Sequence, residues 1–160
     1  MLCNRRDYKA DGDNIPVHKR KGGEKGLYRP QIEFRDACEP FRLGSVRVEA
    51  LRVEHGFPCC GYLLEEDSGG RLGYISDCHD MSDAVVKRLH GVDVMVIGCL
   101  REREHPTHLS LKRALEFLNR IAPAKAYLTH MCHDLRHVEW LDRLTGTPYE
   151  PAHDLLELTV

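Results

Sequence analysis

No stretch of these 160 residues approaches the ~18–20 consecutive apolar residues of a membrane span. The start, Met1 to Arg6, has no apolar h-region, so no secretory leader is expected there. No C-x-x-C occurs, which argues against a structural zinc knuckle. Charge of one sign is also lacking. With 23 Lys and Arg against 25 Asp and Glu, the net charge of −2 provides no bulk attraction to nucleic acid or to an anionic membrane. The one concentrated basic stretch, His18 to Lys25, has no interleaved aromatic residues and reads as a solvated loop. No internal repeat is present. The 7 cysteines are odd in number, and Cys59, Cys78, Cys99 and Cys132 sit in or beside apolar segments. A reduced cytoplasmic compartment fits them better than a disulfide framework.

What the chain does have is an ordinary apolar share of 42%, enough for a globular core, and as many as 10 histidines. Asn14-Ile15-Pro16-Val17 reads as a short strand that Pro16 confines to an edge. Phe41 to Gly44 precedes Val46-Arg47-Val48-Glu49-Ala50, which alternates as a half-buried strand and continues to His55. Cys60–Glu65 and Leu72–Asp77 flank the turn-rich Asp67-Ser68-Gly69-Gly70 and read as a hairpin. Ser82 is placed to cap a helix from Asp83 to His90, stopped by Gly91. Asp93 to Leu100 is a continuous apolar strand, buried on both faces. Ser110 opens a second helix, Leu111 to Ile121, with Leu111, Ala114, Leu115 and Leu118 as its apolar stripe. A strand from Ala124 to His130, a helix from Leu135 to Leu144 and a closing strand over Leu155–Leu158 complete the chain. The expected fold class is therefore α/β: an antiparallel β half followed by alternating strands and helices, layered with helices on the outer face of the sheet.

Several strand ends carry chemistry. Val53-Glu54 leads to His55, Ile75-Ser76 to Asp77, Cys99-Leu100 to His105-Pro106-Thr107-His108, and Leu128-Thr129 to His130-Met131-Cys132-His133-Asp134. Imidazole and carboxylate are the usual ligands of zinc-type ions and the usual general acids and bases. Taken singly, each reads as well as a turn or surface residue: Asp77 as an Asx turn, His79 and Asp80 as turn residues, His105 and His108 as the approach to a helix, His137 as a solvent-facing position. Taken together, the tips describe a crevice for a metal ion or a phosphate.

These segments resemble the metallo-β-lactamase-fold hydrolases, and within them the branch of phosphoribosyl 1,2-cyclic phosphate phosphodiesterase. The resemblance runs in order from about residue 40 to the C-terminus through Val53-Glu54-His55-Gly56, Gly61-Tyr62, Tyr74-Ile75-Ser76-Asp77, Val96 to Arg101, His105-Pro106-Thr107-His108 with Ser110-Leu111, and Leu128 to Asp134. Asn4-Arg5-Arg6 and Ile15-Pro16-Val17 extend it weakly toward the start. It implies the C-terminal portion of an αβ/βα sandwich, with 1–160 a single incomplete domain made of an irregular edge (1–30) and a sheet-and-helix body (31–160). It implies a phosphodiesterase acting on a small, cyclic phosphate ester through a hydroxide bridging two divalent ions, Mn²⁺ or Zn²⁺. His55, Asp77 and His130 match metal ligands, with Asp77 bridging. His108 matches the acid for the leaving oxygen, and His133 an orienting donor or proton partner.

The family's H-x-H-x-D-H motif, which supplies most of the ligands, occurs nowhere in the sequence. Gly98 stands where relatives commonly have an acid, and His153 and Leu155 replace a familiar tyrosine and glycine. The chain is accordingly expected to be a shortened form of such an enzyme and inactive alone. The alternative is a non-catalytic fragment or partner-binding remnant of the fold. Among partners, a small phosphate ester and a second copy of the chain fit; a membrane and nucleic acid do not.

Overall fold

Short runs that alternate or saturate with apolar residues, punctuated by glycine, become the strands of one sheet. The computed structural model describes Ala37 and residues 39–160, so the expectations for Asn4–Arg6, Asn14–Val17 and the irregular 1–30 edge lie outside the described residues. The chain divides into Met1–Glu39 and Pro40–Val160, and the described elements belong to the second unit. In order they are β1 (Phe41–Leu43), β2 (Val46–Val53), β3 (Cys59–Glu66), β4 (Arg71–Ile75), α1 (Asp83–Leu89), β5 (Val94–Gly98), α2 (Leu111–Ile121), β6 (Lys125–Thr129), α3 (His137–Leu144) and β7 (Tyr149–Pro151).

The seven strands lie side by side in chain order. Pairs β1–β2, β2–β3 and β3–β4 are antiparallel, whereas β4–β5, β5–β6 and β6–β7 are parallel. Two antiparallel reversals restore direction, so β2, β4, β5 and β6 all run the same way. Their C-terminal ends therefore share one edge of the sheet, and His55, Asp77, the His105–His108 loop and His130 follow those ends. The expected antiparallel half and alternating half are both present.

Strand pleating sends Leu51, Val53, Leu63, Ile75, Met95, Ile97 and Leu128 into one apolar cluster with Val85, Val86 and Leu89 of α1 and Ala114, Phe117, Leu118 and Ile121 of α2. Strand β5 is buried throughout, as its unbroken apolar run requires. Helix α1 starts where expected: Val85 N–H donates to the Ser82 side chain, and Gly91 takes a positive φ of 68° beyond the C-cap. Helix α2 has the expected bounds, but its buried row shifts to Ala114, Phe117, Leu118 and Ile121. Leu111 and Leu115 pack only partly against the core.

Two expectations are corrected. Helix α3 begins at His137 rather than Leu135, and it buries Trp140 and Leu144 while Val138 and Leu141 stay 52% and 46% exposed. Each three-residue step falls about 60° short of a full turn, so the row Leu135, Val138, Leu141, Leu144 walks about 180° round the helix. His137 is exposed, as expected. The closing strand is Tyr149–Pro151, not Leu155–Leu158. Leu155 has a positive φ of 62° and is 97% exposed, and among the described residues that leucine-rich run pairs with no strand.

A charge cluster pins α1 to the sheet. Arg88 Nη2 donates to Glu49 Oε2 at 2.9 Å and Glu65 Oε2 at 2.8 Å, and Arg47 Nη1 donates to the same oxygens at 3.0 and 2.6 Å. Desolvation pushes the Glu65 carboxyl up, but the hydrogen bonds from Arg88 and Arg47 outweigh it and hold the group below its usual range. A carboxyl lowered by folding stabilises above its unfolded value of about 4.3, and that contribution is lost as pH falls through the lower folded value. Replacing Arg88 by methionine is expected to cost about 1–2 kcal/mol at neutral pH, discounted for partial exposure. Urea melts at neutral pH and at about pH 3 should show the difference from the parent chain shrinking in acid.

Candidate metal centre

Each candidate side chain is placed by backbone bonds that close the loop behind it. Glu54 N–H donates to Asp80 O at 3.0 Å and His79 N–H to Glu54 O at 2.6 Å, tying the turn carrying His55 to the one carrying Asp77. Leu100 N–H donates to Leu109 O at 3.0 Å and Leu111 N–H to Arg101 O at 2.9 Å, which cinches the base of the His105–His108 loop. Cys99 N–H donates to Thr129 O at 2.8 Å and Cys132 N–H to Leu100 O at 2.9 Å, setting the His130 turn against that loop. His130 itself has φ 58°, a left-handed conformation uncommon outside glycine. Functional sites are among the places where such residues collect.

The result is a cluster about one carboxylate oxygen. Asp77 Oδ1 lies 3.2 Å from His130 Nε2, 3.4 Å from His108 Nε2 and 3.9 Å from His55 Nε2. Ser76 Oγ donates to the other oxygen, Oδ2, at 3.2 Å and so orients the group. His55, Asp77 and His108 each offer one ligand atom within 4.8 Å of the others. The rings stack as a set, His55 edge-on to His108 at 4.5 Å between centroids and His108 parallel to His130 at 5.0 Å. His55 is buried, and His130 is exposed at the mouth. Burial lowers the basicity of His108, and the neighbouring His55, His130 and His105 lower it further; Asp77 opposes them.

The donor set suits a divalent cation. His55 Nδ1 lies 2.7 Å from Thr107 O, and a carbonyl only accepts, so a proton sits on Nδ1 and in the neutral ring Nε2 is a bare lone pair. That lone pair faces the Asp77 carboxylate. Two electron-rich groups turned toward each other are reconciled by a cation between them, and nitrogen with carboxylate oxygen is a zinc- or manganese-type donor set.

Of the residues named from sequence, His55, Asp77, His108 and His130 meet. His133 is exposed, and among the described residues it has no hydrogen bond, ion pair or ring contact with the cluster. Asp134 turns to Arg103, whose Nη2 donates to Asp134 Oδ2 at 3.3 Å, and both line a cleft with Glu102 and Leu135. His105 and Thr107 join the cluster although neither drew a functional role from the sequence. His105 Nδ1 lies 3.2 Å from His108 Nδ1, and Thr107 touches three imidazoles. Their signal was the H-P-T-H spacing itself, in which a tight turn folds positions 105 and 108 onto each other. Gly98 is a site residue of another kind: a methyl group there would collide with the Ser76 carbonyl oxygen, one residue before Asp77.

Comparison with known proteins agrees with this fold. Residues 14–131 match the family model of the beta-lactamase superfamily domain. A diphosphatase of the PhnP family has a similar structure, with 30% identity and a TM-score of 0.67 over 75% of this chain and 45% of its own. Zn²⁺-bound PqqB from Methylobacterium extorquens shares the fold at 17% identity and a TM-score of 0.63, over 76% of this chain and 53% of its own. In sequence, an octanoyltransferase from Porphyromonas gingivalis is 29% identical over 96 residues, which are 59% of this chain and 18% of that protein. The chain thus spans less than two thirds of each of these relatives.

Proposed function

The chain belongs to the beta-lactamase superfamily, as a portion of a metallo-β-lactamase hydrolase fold, and on that premise we propose that its clustered strand ends form one wall of a metal-dependent phosphodiesterase site for a small phosphate ester. The observation that carries this reading is the convergence of His130, His108 and His55 Nε2 on Asp77 Oδ1 at 3.2, 3.4 and 3.9 Å. The similarity to a PhnP-family diphosphatase supports the choice of phosphate as the substrate group.

His55, Asp77 and His130 would hold the cations, manganese or zinc. When bound, such an ion acts as a Lewis acid on a phosphoryl oxygen and offsets the charge developing at phosphorus. The protein's own part is orientation and proton handling. Ser76 fixes the carboxylate, Thr107 fixes His55, and burial of His55 keeps bulk water from competing for its nitrogen. His108, facing the same carboxylate, would move a proton to or from the ester oxygen, and exposed His133 would meet the phosphate at the rim. The cysteines Cys59, Cys78, Cys99 and Cys132 are free thiols, which supports a reducing, cytoplasmic setting. Among the described residues no helix is long and apolar enough to cross a membrane.

These residues hold too few donors for a complete two-ion site: even with His108 counted, three imidazoles and one carboxylate would serve two ions. The 160-residue chain is therefore expected to bind Zn²⁺ or Mn²⁺ weakly and to turn over no ester at an enzyme-like rate. Calorimetric titration checks the first expectation; tight binding of two ions per chain would contradict it. The activity is tested by fusing a segment bearing H-x-H-x-D-H ahead of Met1 and assaying a cyclic phosphate diester with each metal. Metal-dependent turnover that disappears on Asp77→Asn supports the phosphodiesterase. A folded, metal-loaded fusion with no turnover refutes it in favour of a non-catalytic, partner-binding role.

A further inference from the structure

The hydrogen bonds around Thr107 admit one self-consistent placement of protons. Thr107 N–H donates to His105 Nδ1 at 3.3 Å. A ring nitrogen that accepts carries no proton, so neutral His105 bears its proton on Nε2. His108 Nδ1 lies 3.2 Å from that same bare nitrogen and 2.9 Å from Thr107 Oγ1. A second lone pair there would face the first across a hydrogen-bonding distance. A proton on His108 Nδ1 instead donates to Thr107 Oγ1 and His105 Nδ1. The Thr107 hydroxyl then accepts from His108. On its other side, the Thr107 carbonyl takes the Nδ1 proton of His55 at 2.7 Å.

We propose that Thr107, with His105 as its partner, is a positioning residue that locks His55 and His108 in the Nδ1-protonated tautomer, so that both turn a bare Nε2 toward Asp77 and any cation held there. This rests on the metal-site reading above. One residue does it with its amide, its carbonyl and its hydroxyl, so the two rings are set together. Outer partners of this kind fix ring orientation and raise ligand basicity. The lock also orders events at His108. In the resting protein its Nε2 is a ligand or proton acceptor, and it donates to a leaving oxygen only after taking up a proton on that nitrogen.

The tautomers are read directly by long-range proton–nitrogen correlation on the ¹⁵N-histidine-labelled chain, metal-free, at about pH 8.5, where imidazole is neutral. His55 and His108 are expected to carry the proton on Nδ1 and His105 on Nε2; an Nε2 proton on His108 overturns the proposal without any variant. Thr107→Val combined with His105→Phe removes both acceptors of the His108 Nδ1 proton but keeps the backbone carbonyl that serves His55. In this double variant His108 is expected to lose its tautomer preference, His55 to keep it, and zinc affinity to fall roughly 10- to 100-fold. His105→Asn, which retains an acceptor at the Nδ1 position, is expected to stay near the parent affinity. Unchanged His108 tautomer and zinc affinity in the double variant would defeat the proposal. If the parent chain shows the assigned tautomers yet binds no zinc at all, the metal-site reading fails while the tautomer lock stands.

Discussion

Asp77→Asn is expected to lose metal binding by roughly 100-fold or more while melting no lower than the parent chain. The loss follows from removing both a ligand and the one negative charge inside the cluster, comparable to the 2–5 kcal/mol for truncating one partner of a desolvated charge pair. The retained stability follows from the neighbours. In the metal-free chain, with the rings neutral, the Asp77 carboxylate faces the bare Nε2 of His55, and it stands 3.4 Å from His108 Nε2 and 3.2 Å from His130 Nε2. Ser76 Oγ would hold the oxygen of the asparagine, as it now holds Asp77 Oδ2. The amide N–H groups would then point at ring nitrogens that accept. That exchange of repulsion for a hydrogen bond contributes about 0.5–1.5 kcal/mol, and functional sites commonly gain stability when their chemistry is removed. Paired calorimetric titration and thermal melts check both halves. Undiminished zinc binding would remove Asp77 from the site, and a sharply lowered melting temperature would recast it as a structural residue.

Gly98→Ala is expected to destabilise the chain by about 3 kcal/mol or more, beyond the usual overpacking cost. The new methyl group would meet the Ser76 carbonyl, and that oxygen is backbone, unable to swing aside as a side chain does. The strain lands where it matters most. Gly98 is the last residue of β5 and pairs with Thr129, the residue before His130, while Ser76 precedes Asp77. Any relief by parting β4 from β5 would move Asp77 away from His130. Denaturant melts should show the lost stability, and whatever remains folded should bind zinc more weakly. An acid at this position is expected to fail for the same reason. A Gly98→Ala chain of parental stability would show that the Ser76 strand end yields easily, and would weaken the claim that its position is dictated by β5.

Much of this was legible in the sequence because it depends on local periodicity. Alternation marked β2, an unbroken apolar run marked β5, and Ser82 with Gly91 bracketed α1; each is decided within a few residues by which side chains meet water. The C-terminal region failed for a related reason. Leu155–Leu158 looks like a strand and Val138 and Leu141 like a buried row, but whether an apolar residue is covered depends on which elements come to lie against it. Here Trp140 and Leu144 took the buried face of α3, and the short Tyr149–Pro151 segment took the last place in the sheet.

By itself the sequence determined the donors: which residue types end the strands, and that His55, Asp77, His108 and His130 are chemically fit for a cation or a phosphate. Only the tertiary structure decided their company. Parallel alignment of β2, β4, β5 and β6 brings to one oxygen of Asp77 side chains up to 75 positions apart in sequence, from His55 to His130. It leaves His133 outside that group and admits His105 and Thr107. Proton placement on the rings was settled at the same level, because a tautomer follows from what faces each nitrogen, and that depends on distances across the fold rather than on spacing along the chain.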